Sequence, residues 1–208
     1  MYRNFIKRFL DLIGAIVLLM LLCVPALFIM LCCAIAFSGH VFFIQDRIGK
    51  GERIFKLYKF ITMEPLDPTA PKSDTERLTR FGRFLRSTSL DEIPQLVNIL
   101  KGDMSLIGPR PLFVHYLPYY TETERLRHSV RPGISGLAQV SGRNALSWDE
   151  RLALDVQYVR NISFLSDMRI FLKTLIYIMQ PGNVQTDPRA VMADLDIERK
   201  HAHHTTRI

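Results

Sequence analysis

The sequence predicts an α+β fold, mainly helical, in which an N-terminal membrane helix precedes a small domain with one short strand pair and amphipathic interfacial helices. Three observations predict it. Leu12 to Phe37 is a run of 26 residues without a charge. The stretch "RIFKLYKF" alternates apolar and polar residues with period two. Later segments carry apolar residues three and four apart, the helical period. At 208 residues the chain suits one domain with an appendage. We divide it into a membrane segment (1–38), a domain (39–182) and a tail (183–208).

The apolar run exceeds the roughly 20 residues that cross a bilayer. It is too long for a cleaved signal peptide, and no small-x-small site follows it. Its flanks are basic on both sides, with Arg3, Lys7 and Arg8 before it and Arg47, Lys50, Arg53, Lys56 and Lys59 after it. A spanning helix usually carries its Lys and Arg on one side. Pro25, in the middle, removes a backbone hydrogen bond, although spanning helices tolerate such a kink. Two topologies therefore stand: a spanning anchor, and a re-entrant helix–break–helix that returns to the same face. Either one attaches the protein to a membrane. Cys23, Cys32 and Cys33 all fall in this run, which argues against a disulfide framework and for a reducing compartment.

Beyond it, Val41 to Met63 reads as a strand pair about the turn signal Gly49-Lys50-Gly51. Glu64 to Asp74, with three prolines, is a loop. Glu76 to Thr88 reads as one basic helix with Leu78, Phe81 and Leu85 on a common face. The helix through "DEIPQLVNILKG" ends near Gly102. "SWDE" (Ser147 to Glu150) is a capping box that opens a helix through Arg160. Ser166 to Gln180 is a last apolar helix, stopped by Pro181 and Gly182, suited to core or membrane interface. The tail is expected to be partly disordered.

The formal charge of +7 selects anionic partners: nucleic acid, acidic lipid or a phosphorylated substrate. Asp91 and Glu92 stand against that charge, side by side just ahead of Pro94. On residue types alone, two readings hold. Acidic side chains complement a helix N-terminus, and Ser89 with Glu92 has capping-box spacing. Alternatively, paired carboxylates hold Mg²⁺ together with substrate phosphates, or one of them attacks phosphorus. Attack on phosphorus needs counter-charge. Arg110, between Pro109 and Pro111, is a bidentate phosphate donor on a stiffened backbone. Arg86 in "RFGRFLR", and Arg131 and Arg143 in "RPGISGLAQVSGRN", are further candidates for a diphosphate. The helix arginines equally suit anionic lipid headgroups.

The strings "LTRFGRFLRSTSLDEIPQLVNILKGDMSLIGPRPL" and "RPGISGLAQVSGRNALSW" together resemble the bacterial sugar transferase family, the monotopic phosphoglycosyl transferases. The start "MYRNFIKRFLDLIGA" is similar to its smallest, PglC-like members, and the resemblance runs from about Met1 to Gln180. It implies a catalytic domain on the cytoplasmic face of the bacterial inner membrane and a two-step exchange. A UDP-sugar, N-acetylated in the small members, gives its sugar phosphate to a carboxylate and releases UMP. A polyprenol phosphate, of the undecaprenyl type, then collects the sugar phosphate. This is the first membrane step of glycoconjugate assembly. By the matching motif Asp91 is the nucleophile, Glu92 binds Mg²⁺ or handles a proton, and Arg110 holds phosphate. The resemblance also implies a re-entrant helix broken at Pro25, and no nucleic acid as partner.

Two positions depart from the family pattern. Val24 precedes Pro25 where small members often have serine, and Ile61 follows "KF" where a basic residue is usual. Two rival readings are a non-catalytic anchored protein that binds acidic lipid or nucleic acid, and a one-step transferase or phosphatase that releases UDP or inorganic phosphate.

Overall fold

The charge-free run and its basic flank fold as one helix, α1 (Lys7–Ala36), which passes through Pro25. The computed structural model describes residues 2–65, 73–142, 146–179 and 194–205. The expected helix–break–helix is therefore corrected: the helix runs on through the proline. Proline costs α1 one ladder bond and a clash with the preceding turn. The surrounding Leu, Met and Ala are good helix formers, and packing along one face supports the helix on both sides of the proline. On that face Asp11, Ala15, Ile29 and Cys33 are buried, and Leu18, Leu22, Ala26 and Met30 are partly buried against the same core. These positions lie three and four apart on both sides of Pro25, so a single stripe faces protein. The opposite face exposes Ile16, Met20, Val24, Leu27, Phe28, Leu31 and Ile35.

The predicted strand pair forms. β1 (Phe42–Ile48) and β2 (Ile54–Phe60) are antiparallel, with Arg47 opposite Phe55 and Phe43 opposite Lys59. Phe55 and Leu57 enter the core that α1 covers. The expected single helix over 76–88 is instead two, α2 (Asp74–Arg77) and α3 (Arg80–Ser87). Thr79 interrupts them by capping α3, its Oγ1 accepting from the Gly82 N–H at 2.9 Å, while extended Leu78 pairs with Met63. α4 (Gln95–Lys101) ends at Gly102, whose φ of 95° is the left-handed cap that its glycine supplies.

Two three-residue strands, β3 (Ser105–Ile107) and β4 (Gly133–Ser135), form a parallel pair that the sequence did not announce. Short helices α5 (Glu122–Arg125) and α6 (Leu137–Ser141) lead to α7 (Trp148–Arg160), which opens with the predicted Ser147–Glu150 capping box. α8 (Phe164–Met179) divides its apolar surface: Ile170 is buried, whereas Leu165, Leu172, Ile176 and Met179 are exposed. Residues 180–193 and 206–208 lie outside the described residues. Between them the tail forms a helix, α9 (Leu195–Thr205), where partial disorder was expected. Leu195 secures it, fully buried in a cluster with Tyr116 and Trp148.

Buried polar contacts fix these layers. Asp11 of α1 accepts from Ser105 Oγ (2.7 Å) and the Leu106 N–H (3.0 Å) of β3. Asp167 of α8 accepts from Tyr2, Lys7 and Tyr158, joining α1 to α7 and α8. Asn98 of α4, fully buried, accepts from the Tyr58 N–H and donates to the Lys56 carbonyl of β2. It serves the backbone groups of that strand in place of a third strand.

His128 is buried between Arg127, Tyr120 and Glu52. Burial and the neighbouring Arg127 charge push its pKa down to about 4, against partial opposition from Glu52. Because the folded pKa lies below the ordinary value, the unfolded chain binds this proton more readily. His128 therefore costs no stability above about pH 6.5 and removes at most about 3 kcal/mol as pH falls from there toward 4. We expect thermal unfolding in detergent to show that acid slope, and His128→Gln to flatten it.

Candidate active site

The chain reaches the acidic pair through a strained turn. Ser89 has a φ of 58°, left-handed and rare for a residue with a side chain. A single tight turn, Leu90–Glu92, follows, and Pro94 stands at the N-terminal boundary of α4. The Ser89–Glu92 capping box does not form: Ser89 makes no side-chain cap, and the Glu92 carboxylate is engaged elsewhere. Lys59 Nζ lies 2.6 Å from Glu92 Oε1 and 3.5 Å from Asp91 Oδ2. Arg110 Nη2 lies 3.4 Å from the same Glu92 oxygen, with the arginine side chain 49% exposed. Asp91 itself is buried.

This environment separates the two acids. Burial alone pushes the Glu92 carboxyl up, but Lys59 and Arg110 outweigh it and hold Glu92 at about 2. Burial also pushes Asp91 up, the Glu92 charge adds to this, and Lys59, Arg86 and Arg110 only partly oppose it. Glu92 is thus the fixed anion, and Asp91 the more basic carboxylate beside it. Two hard oxygen donors side by side, already accommodating a cation from Lys59, also match what Mg²⁺ takes from protein.

The wall opposite the pair is held from two sides. The Ile48 N–H donates to the Leu112 carbonyl (3.2 Å), tying the end of β1 to the Pro109–Pro111 segment. From the other side Arg127 Nη2 donates to the Arg110 carbonyl at 2.7 Å. Arg127 is buried and paired with Asp155, through Nε at 3.0 Å and Nη2 at 2.7 Å.

Of the predicted phosphate-binding residues, Arg110 reaches the pair directly. Arg86 donates from Nε to Thr62 Oγ1 (3.0 Å) and acts on Asp91 through its charge. Gly82 permits this approach, because a Cβ there would lie 1.8 Å from the Thr62 carbonyl oxygen. Arg131 donates from its guanidinium to the Gly102 carbonyl (2.8 Å) at the end of α4, and among the described residues no hydrogen bond joins it to the acids. The glycines of "RPGISG" also serve packing. A Cβ on Gly133 would meet the Gly108 nitrogen at 2.1 Å, and one on Gly136 the Gly108 carbonyl oxygen at 2.2 Å. Arg143 lies outside the described residues, and Pro25 sits within α1.

Lys59, Asn98 and the Arg127–Asp155 pair are the site residues that sequence reasoning missed. For Lys59 a signal existed. It shares strand parity with buried Phe55 and Leu57, so a lysine there faces inward and needs an acid.

Comparison with known proteins identifies the sequences this chain resembles. Residues 2–181 match the bacterial sugar transferase family. The chain is 46% identical over 184 residues to an uncharacterized sugar transferase, EpsL, of Bacillus subtilis (strain 168), covering 86% of this chain and 90% of that one. It is 39% identical to a UDP-N-acetylgalactosamine-undecaprenyl-phosphate N-acetylgalactosaminephosphotransferase of Aeromonas hydrophila, over 84% of this chain and 44% of the relative. It is 36% identical to an undecaprenyl-phosphate galactose phosphotransferase of Salmonella typhimurium, over 85% of this chain and 41% of the relative. The chain thus spans less than half the length of the last two.

The ion-pair geometry is testable without any assay of turnover. Lys59→Met leaves buried Asp91 and half-buried Glu92 with only Arg110 and Arg86 as counter-charge and is expected to lower stability by about 3 kcal/mol. Adding Glu92→Gln should recover most of that loss. A thermal-unfolding double-mutant cycle in detergent measures the coupling, and a coupling near zero would refute the geometry.

Proposed function

The chain belongs to the bacterial sugar transferase family, and we propose that it transfers a sugar 1-phosphate from a UDP-sugar to a membrane polyprenol phosphate, through a covalent intermediate on Asp91. The observation that carries this reading is the separation of the two acids: an anion fixed by Lys59 and Arg110, beside a buried and more basic carboxylate. The names of the relatives support the donor and acceptor classes.

In the first step an Asp91 oxygen attacks the sugar-bearing phosphorus of the diphosphate. The bridging P–O bond breaks, and its electron pair leaves with UMP. In the second step an oxygen of the polyprenol phosphate, as its dianion, attacks the same phosphorus, and the Asp91 carboxylate leaves. The products are UMP and polyprenol diphosphate-sugar. Arg110, half-exposed at the mouth, meets the diphosphate oxygens, and Arg86 adds positive charge near Asp91. Arg127 keeps the Arg110 backbone in place. Mg²⁺ held by Asp91 and Glu92 supplies further counter-charge when bound.

The acceptor is a lipid, and the position of α1 suits it. The packed stripe runs from Asp11 to Cys33, about 33 Å at 1.5 Å per residue, which is the full hydrocarbon thickness of a bilayer. A helix crossing the membrane in that state would take the domain in with it. The arrangement supports a monotopic placement on one leaflet, with the exposed faces of α1 and α8 toward lipid and the basic helices toward anionic headgroups. We assign that leaflet to the cytoplasmic face of the bacterial inner membrane, where UDP-sugars and reduced cysteines belong together. We assign the sugar to the N-acetylated class on the likeness to the small family members, and we assign nucleic acid no role.

Nucleotide analysis tests the reaction class. With Mg²⁺, polyprenol phosphate and a panel of UDP-sugars, the protein should release UMP from an N-acetylated donor, and Asp91→Asn should lose at least 10³-fold of that rate. Release of UDP or inorganic phosphate would instead mean a one-step transferase or phosphatase. No release from any donor would leave a non-catalytic membrane protein.

A further inference from the structure

Arg47, at the end of β1, carries a charge that the described residues do not balance. Its guanidinium carbon lies 3.7 Å over the Phe113 ring. Nη2 donates to Gln45 Oε1 at 2.7 Å, and Nη1 makes a long contact of 3.5 Å with the Pro111 carbonyl. Nε is buried and has no partner among the described residues. Among those residues no ion pair joins this arginine to a carboxylate, and the charged groups that act on it are Arg110 and, more weakly, Glu92. Burial and the Arg110 charge together push its pKa down to about 10. A half-buried guanidinium near a second guanidinium costs stability unless an anion joins them. The fold nevertheless fixes it: Arg47 bridges to Phe113, and the next residue binds the Leu112 carbonyl.

The cations are ordered from the acids outward. Lys59 touches both carboxylates, Arg110 touches Glu92, and Arg47 is set against the residues that follow Arg110, through the Pro111 carbonyl and the bridge to Phe113. Lys59, Arg86 and Arg110 act on Asp91, whereas among the described residues the hydrogen bonds of Arg47 go to Gln45 and Pro111 and none joins it to either acid. With the attacked phosphorus at Asp91, the second phosphate of the diphosphate falls at Arg110 and Arg47. We propose that Arg47 is an anion-binding residue of this site that, with Arg110, holds the nucleotide-side phosphate of the donor and then the phosphate of the departing nucleoside monophosphate. This rests on the sugar-phosphate transfer reading above.

The test uses the full chain in detergent, with UMP itself as the probe. UMP is titrated as an inhibitor of turnover, and its binding is read independently from the thermal shift it produces. In Arg47→Gln the UMP inhibition constant and the KM for UDP-sugar should both rise about tenfold or more, as for loss of a charged hydrogen bond. In Arg47→Lys the rise should be about threefold, since charge is kept and the fork is lost. The KM for polyprenol phosphate should not change, a split that a general loss of structure would not produce. UMP inhibition and binding equal to wild type in either variant that folds would overturn the role of Arg47. Wild-type protein that releases no UMP would instead overturn the transfer reading, and the thermal shift would still report whether Arg47 holds the nucleotide.

Discussion

The ion cluster of Lys59 with Asp91 and Glu92 is the constraint around which the rest of the site is arranged. Two adjacent carboxylates drawn out of water repel each other, and each has lost hydration. A cation must therefore be held within a few ångströms. Supplying it requires β2 to stay in register beside α4, which Asn98 enforces through two backbone bonds. It also requires the turn at Ser89 to take a left-handed conformation that most side chains avoid. Neither feature improves the core. Both place charge, and strain kept at a chemical site is a familiar sign of function.

The same logic explains why a helix-capping reading of Asp91 and Glu92 was reasonable and still incomplete. Both acids do precede α4, where acidic residues usually help the helix. Glu92, however, turns to Lys59 and Arg110 rather than back to Ser89. A capping box forms at Ser147, where among the described residues no ion pair draws Glu150 away. Spacing announces both boxes equally, and tertiary charge decides which one closes.

Local signals made much of the fold legible. Period two found the β1–β2 pair, Gly102 ended α4, and "SWDE" opened α7. What escaped depended on distant partners. The β3–β4 pair is three residues on each side, too short to carry a period, and its glycines serve backbone contact across the pair. Arg131 looks identical in sequence whether it caps α4 or binds phosphate. Arg127 and Asp155 are 28 positions apart, and only the fold shows that they steady Arg110. Pro25 suggested a broken helix, yet the stripe from Asp11 to Cys33 packs on both sides of it and outweighs one lost bond.

The central claim is that Asp91, rather than its better-ionised neighbour, forms the bond to phosphorus. The most direct measurement is intact-protein and peptide mass after brief exposure to a UDP-sugar with no polyprenol phosphate present. The account predicts one added sugar phosphate per chain, mapped to the peptide containing Asp91, absent in Asp91→Asn and discharged when polyprenol phosphate is added. An unmodified mass throughout, from protein that turns over once the lipid is supplied, would contradict it and make Asp91 a spectator to direct displacement.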